Sequence, residues 1–156
     1  METIIIATDG SETAKEAASR GLALLRPVDQ VLVVSVADLA DSDLTVDATG
    51  HAAATMTPEE VEALNDEVLR RSQSNIDATI EALRAHPGLP SGLETRIIGG
   101  QAGPALCQLA SETAAVAVVM GSSGRGVLRR AVLGSVSDHV VRHAPCPVVV
   151  TRARPQ

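Results

Sequence analysis

The segment Gly121-Ser122-Ser123-Gly124-Arg125-Gly126, followed downstream by Gly134-Ser135-Val136, carries residue types that hold an anion. Glycines let the backbone approach a ligand closely and turn its N–H groups toward it, and a helix starting at Ser135 would aim a partly positive N-terminus at the same place. Hydroxyls from Ser122, Ser123 and Ser135 and the guanidinium of Arg125 complete a cradle suited to phosphate. Arg129 and Arg130 lie in the same stretch and read either as further phosphate partners or as a solvated face. Two common phosphate loops are excluded. A Walker loop needs Gly-Lys-Ser/Thr, and the only lysine here is Lys15; a dinucleotide fingerprint follows the first strand, whereas this loop follows the fourth.

Other chemistry-bearing groups are fewer. Asp9, in Thr8-Asp9-Gly10-Ser11, either caps the helix that follows or faces a ligand, and Ser11 reads as an N-cap because the nucleophile elbow Gly-x-Ser-x-Gly is absent. His139 and His143 have metal-ligand spacing, but no third ligand shares their face, so they read as two exposed histidines favourably placed near a helix C-terminus. Cys107 on an apolar stripe and Cys146 between two prolines read as structural thiols. Neither a catalytic residue nor a metal site is predicted.

The elements that must position these groups follow from periodicity. Ile4 to Ile6, Val31 to Val36, Leu93 to Ile98, Val116 to Met120 and Pro147 to Thr151 are short apolar runs of the kind that form buried strands. Between them the three- and four-residue spacing of Ala14, Ala17, Ala18, Leu22 and Leu25 predicts a helix over about 12–25, capped by Ser11 and stopped by Pro27. Thr57-Pro58-Glu59-Glu60 combines a capping box with proline at the first helical position, and starts a helix running to about Ala85. Its apolar stripe reads Val61, Leu64, Val68, Leu69, Ile76, Ile80 and Leu83. Helices over 103–113 and 135–143 complete the series, and residues 38–56 lack any stripe and read as a long loop. Strands alternating with helices predict one α/β domain over 1–156, a three-layer doubly wound sandwich with a five-stranded parallel sheet.

Composition narrows the functions. The 156 residues include no Phe, Tyr or Trp, so no aromatic platform can stack a base and no aromatic belt can mark a membrane interface. The net charge of −6 repels nucleic acid and anionic membranes on average, yet from Gly121 onward six arginines face the single acid Asp138. An anion is best received there. The N-terminus reaches an acid without a basic region and reads as no secretory signal, no apolar run approaches a membrane span, and two distant cysteines suit a reducing compartment, so a cytoplasmic protein is expected.

The spacing Gly121-x-x-Gly124, nine residues, then Gly134-Ser135, set beside Ile4 to Ser11 and the ending Pro145-Cys146-Pro147-Val148-Val149-Val150, resembles the universal stress protein family, specifically its ATP-binding branch. The resemblance spans essentially the whole chain. It implies a Rossmann-like fold of the adenine nucleotide alpha hydrolase type with strand order 3-2-1-4-5. It implies ATP as ligand, with magnesium as its companion ion. By position, Asp9 is similar to the family's carboxylate near the ribose, Ala7 and Thr8 line the same pocket, and Val36 resembles its apolar contact to the base. Met120, Gly121, Ser122 and Gly124 fall where ribose and phosphates meet backbone, Gly134, Ser135 and Val136 where a helix start grips the phosphates, and Arg125 adds charge. The family's fifth strand pairs across a two-fold axis, which implies a homodimer through Val148 to Thr151 and a regulatory role read by an unidentified protein partner. Two alternatives stand beside this reading: a slow ATPase or nucleotide hydrolase, and a nucleotide-free dimerisation module. Hydrolysis needs a base or positioned water, and apart from Asp9 the loop supplies only Gly, Ser and Arg. Without aromatics, a bound adenine must lie between aliphatic groups such as Val36 and Met120, with backbone hydrogen bonds giving specificity.

Overall fold

A computed structural model describes residues 1–40, 56–122 and 133–152. The elements run β1 (Thr3–Ala7), α1 (Glu12–Leu24), β2 (Gln30–Ala37), α2 (Pro58–Leu83), β3 (Gly92–Gly99), α3 (Ala102–Glu112), β4 (Ala117–Gly121), α4 (Ser135–His143) and β5 (Val148–Thr151). The strands form one sheet in the order β3-β2-β1-β4-β5, parallel at every pairing. This is the doubly wound sheet expected from the alternation of apolar runs and helical stripes.

Side-chain alternation along the strands splits the core in two. Ile5, Leu32, Val34 and Val118 pack against Leu106, Leu109 and Ala110 of α3 and Val140 of α4. Ile4, Ile6, Val31, Val33 and Val119 pack instead against Ala18 and Leu22 of α1 and Ile76 and Leu83 of α2. Gly21 is where α1 comes closest to the sheet: a Cβ there would lie 2.8 Å from Val119 Cγ2.

Helix starts are set by local chemistry. Ser11 accepts from the Ala14 N–H at 3.2 Å, and Thr57 and Glu60 make the reciprocal capping box, with the Glu60 carboxylate accepting from the Thr57 N–H at 2.7 Å. The stripe of α2 departs from the apolar pattern. Leu64 and Leu69 are exposed, and the buried face runs Val61, Ser72, Ile76, Thr79 and Leu83, with Asn65 and Val68 half-buried. Three- and four-residue steps lead from Val61 through polar positions that find partners: Asn65 donates to the Ala40 carbonyl and accepts from its N–H. β3 is an edge strand with Glu94, Thr95 and Arg96 exposed, which is why its run is less apolar than those of β1, β2 and β4. The loop predicted over 38–56 falls mostly outside the described residues. Among those residues, no helix is long and apolar enough to cross a membrane.

Candidate functional site

β1 stops pairing at Ala7 opposite Val34, and the chain then leaves the sheet. The Thr8 N–H donates to the Val34 carbonyl at 2.8 Å, the last rung between the two strands. Residues facing one neighbour recur at every second position in a parallel strand, so the next β2 groups directed toward β1 belong to Val36. Opposite them lies the turn Thr8-Asp9-Gly10-Ser11. Asp9 Oδ1 accepts from the Ser11 N–H at 3.0 Å, and Gly10 takes φ +74°, a left-handed conformation glycine adopts without strain. A Cβ at Gly10 would also sit 2.5 Å from Asn75 Oδ1 on α2.

The hydroxyls beneath this turn form a directed chain. Thr79 is placed to donate to the Asn75 carbonyl at 2.9 Å; with its proton used there, Thr8 is the donor in their 2.7 Å contact, in which either hydroxyl could donate. Thr8 Oγ1 in turn accepts from the Gly10 N–H at 3.0 Å. Thr8 thereby ties the turn to α2.

On the other side, β4 ends in Met120 and Gly121. Ser122 secures the exit: its N–H donates to the Thr151 carbonyl at 2.8 Å, and its carbonyl accepts from the Gly134 N–H and the Ser137 hydroxyl, each at 2.8 Å. These bonds fix the start of α4 beside the end of β4. Gly134 is the N-cap and offers no side chain to cap with, leaving the first-turn N–H groups of Ser135, Val136 and Ser137 without intrahelical acceptors. By contrast α1 and α2 close their own first turns with Ser11 and Thr57.

Between these elements lies a cavity of about 330 Å³, at the lower end of the range of small-ligand sites. Of the predicted site residues, Ala7, Thr8, Asp9, Val36, Met120, Gly121, Gly134, Ser135 and Val136 line it. Ser122 is buried beside it and acts through its backbone. Gly124 and Arg125, with Ser123, Arg129 and Arg130, lie outside the described residues. The structure adds wall residues that the sequence reading passed over: Val34, Ser35, Asn75, Ala102, Leu106 and Ser137 among them. The cavity is two-sided, with Val34, Val36, Leu106, Met120 and Val136 making an aliphatic wall toward α3 and α4, and Thr8, Asp9, Ser35 and Asn75 a polar wall toward α1 and α2.

The remaining candidates lie elsewhere. His139 and His143 stack with ring centroids 4.3 Å apart, and His143 Nδ1 lies 2.9 Å from the His139 carbonyl oxygen. His139 is half-buried rather than exposed, because Gly103 lets α3 approach until a Cβ at that glycine would be 2.8 Å from the His139 ring. Among the described residues no group of three potential ligands could hold a metal. Cys107 and Cys146 are free, half-buried and packed against the core under α3 and α4. Burial raises both thiols above their usual pKa, and the nearby Cys107 raises Cys146 further.

A parallel α/β sheet whose strand order reverses beside β1, with a cavity outside its carboxyl edge and a helix start closing one end, places this chain in the class of doubly wound folds that take ligands at that point. Within that class the chain belongs to the universal stress protein family, whose model matches residues 1–152. Universal stress protein MJ0531 of Methanocaldococcus jannaschii is 26% identical over 150 residues, covering 96% of this chain and 81% of that protein. The structure of the protein MJ0577 shares the fold at a TM-score of 0.74 with 20% identity, over 99% of this chain and 98% of that one. The universal stress protein from Archaeoglobus fulgidus in complex with dAMP shares it at 0.61 with 19% identity, over 96% of each chain.

Proposed function

We propose that the cavity binds an adenine nucleotide, with ATP as the working ligand, and that the protein is a homodimeric regulator whose nucleotide state is read by a partner. The observation that carries this is the uncapped first turn of α4, whose orphan N–H groups and helix dipole face a cavity with one aliphatic wall and one polar wall. The groups present fit each part of the ligand. The α4 start suits phosphate, Asp9 suits a sugar hydroxyl, and the aliphatic wall with the β1-facing backbone of Val36 suits a purine held without stacking. Among the described lining residues Asp9 is the only carboxylate, so a magnesium ion would take its ligands chiefly from phosphate and water. That same scarcity favours binding over fast hydrolysis.

Dimerisation is proposed through β5, an edge strand paired only with β4, whose Val148, Val149 and Val150 are half-buried in the single chain. An apolar edge of this kind invites pairing with a second copy. The test of the ligand reading is calorimetric titration of nucleotide-stripped protein with ATP, ADP and AMP, alongside release of bound nucleotide from freshly purified, denatured protein. Saturable ATP binding supports the reading. No binding of any adenine nucleotide and none released would overturn it.

A further inference from the structure

Ser35 interrupts an otherwise aliphatic strand, Val31-Leu32-Val33-Val34-Ser35-Val36-Ala37, at a position 1% exposed. Among the described residues the fully buried side-chain oxygen without a hydrogen-bond partner is that of Thr151, so the Ser35 oxygen, though its residue is buried, opens to the cavity it lines. One step past the Ala7–Val34 pair, Ser35 falls on the face of the sheet that packs against α1 and α2, the face opposite that of Val34 and Val36. Among the described residues the Ser35 side chain makes no hydrogen bond. It does line the cavity, on the polar wall with Asp9 and Asn75.

We propose that Ser35 is a specificity-determining residue of the nucleotide site, its hydroxyl bonding a sugar hydroxyl of the ligand beside Asp9; this rests on the reading of the cavity as a nucleotide site. The division of the walls supports the assignment to the sugar. The aliphatic wall offers the base its faces, α4 offers the phosphates its donors, and the polar wall is left for the diol between them. A local break in the apolar pattern of β2 falls where the strand lines the cavity, and the ligand would supply the hydroxyl's partner there.

The experiment is a Ser35→Ala variant, measured with and without ligand, against ATP and its 2′-deoxy and 3′-deoxy analogues. Without ligand, the variant should melt at or above the wild-type temperature, since the hydroxyl has no protein partner to lose. With ATP, it should bind about tenfold more weakly, the size of one lost hydrogen bond. With the analogue lacking the partner hydroxyl, wild type and variant should bind equally. A variant that melts lower without ligand, binds ATP as tightly as wild type, or loses as much affinity for both deoxy analogues as for ATP overturns the assignment while leaving the nucleotide site standing. Wild-type protein that binds no adenine nucleotide overturns the site itself and this assignment with it.

Discussion

Replacing Thr79 by valine tests whether the turn that carries Asp9 is held by α2. Thr79 is fully buried, and valine keeps its shape while removing the oxygen that accepts the Thr8 proton at 2.7 Å. The Asn75 carbonyl still receives its helical N–H, so the specific loss is one stranded donor, Thr8, which is itself buried. Stranding a buried donor costs about 1–3 kcal/mol. For a chain of this size that lowers the melting temperature by roughly 2–4 °C per kcal/mol. The cycle with Thr8→Val isolates the mechanism. In the Thr8→Val background Thr79 keeps its bond to Asn75 and no Thr8 hydroxyl remains to be stranded, so Thr79→Val should there cost close to nothing. Thr79→Ser restores the oxygen and should recover stability and nucleotide affinity together. Chemical denaturation of the four proteins of the cycle supplies the coupling energy. An equal cost of Thr79→Val in both backgrounds would refute the coupling of Thr8 to α2 through Thr79.

Three further outcomes follow from other contacts. Ser135→Pro removes an orphan N–H at the first helical position of α4, where proline suits the helix and the extended Gly134 suits a following proline; the fold should hold while ATP affinity drops roughly 10- to 100-fold, the worth of one charge-assisted bond, by calorimetry. Gly21→Ala gains about 1 kcal/mol of helix propensity but drives a methyl into Val119, and overpacking of about 1–3 kcal/mol should make the variant net less stable in denaturant titrations. The thiols of Cys107 and Cys146, pushed up in pKa by burial, hold less thiolate at neutral pH than a free cysteine. Their alkylation by iodoacetamide should be slower than that of a model thiol at pH 7.5 and should accelerate as pH rises past 9.

The elements that apolar pattern and capping chemistry specify were legible residue by residue. The start of α2 at Thr57-Pro58, the span of α4 from Ser135 to His143 and the buried runs of β1, β2 and β4 all depend on local signals that tertiary context reinforces. The aliphatic and glycine parts of the site were legible for the same reason. Val36, Met120, Gly121 and Gly134 sit at element ends, where a doubly wound sheet must place its ligand.

What went unread has one physical cause. A stripe assembled from apolar residues admits Leu64 and Leu69, which are exposed, and skips Asn65, Ser72 and Thr79, which face inward. The buried face of α2 is polar because it meets polar backbone and hydroxyls at the carboxyl edge of the sheet: Asn65 holds the exit of β2 at Ala40, Thr79 holds the turn at Thr8, and Asn75 reaches the cavity between them. Ser35 was passed over on β2 by the same logic, as one polar letter in an apolar run. Burying a polar side chain is tolerated only where a partner waits, so these positions carry information about their surroundings that no neighbour in sequence reveals. Asn65 and Thr79 bond backbone or hydroxyl of another element, and Asn75 lines the cavity beside them. Ser35, which lines the cavity and makes no hydrogen bond within the described protein, is the position at which the proposed nucleotide would supply a partner.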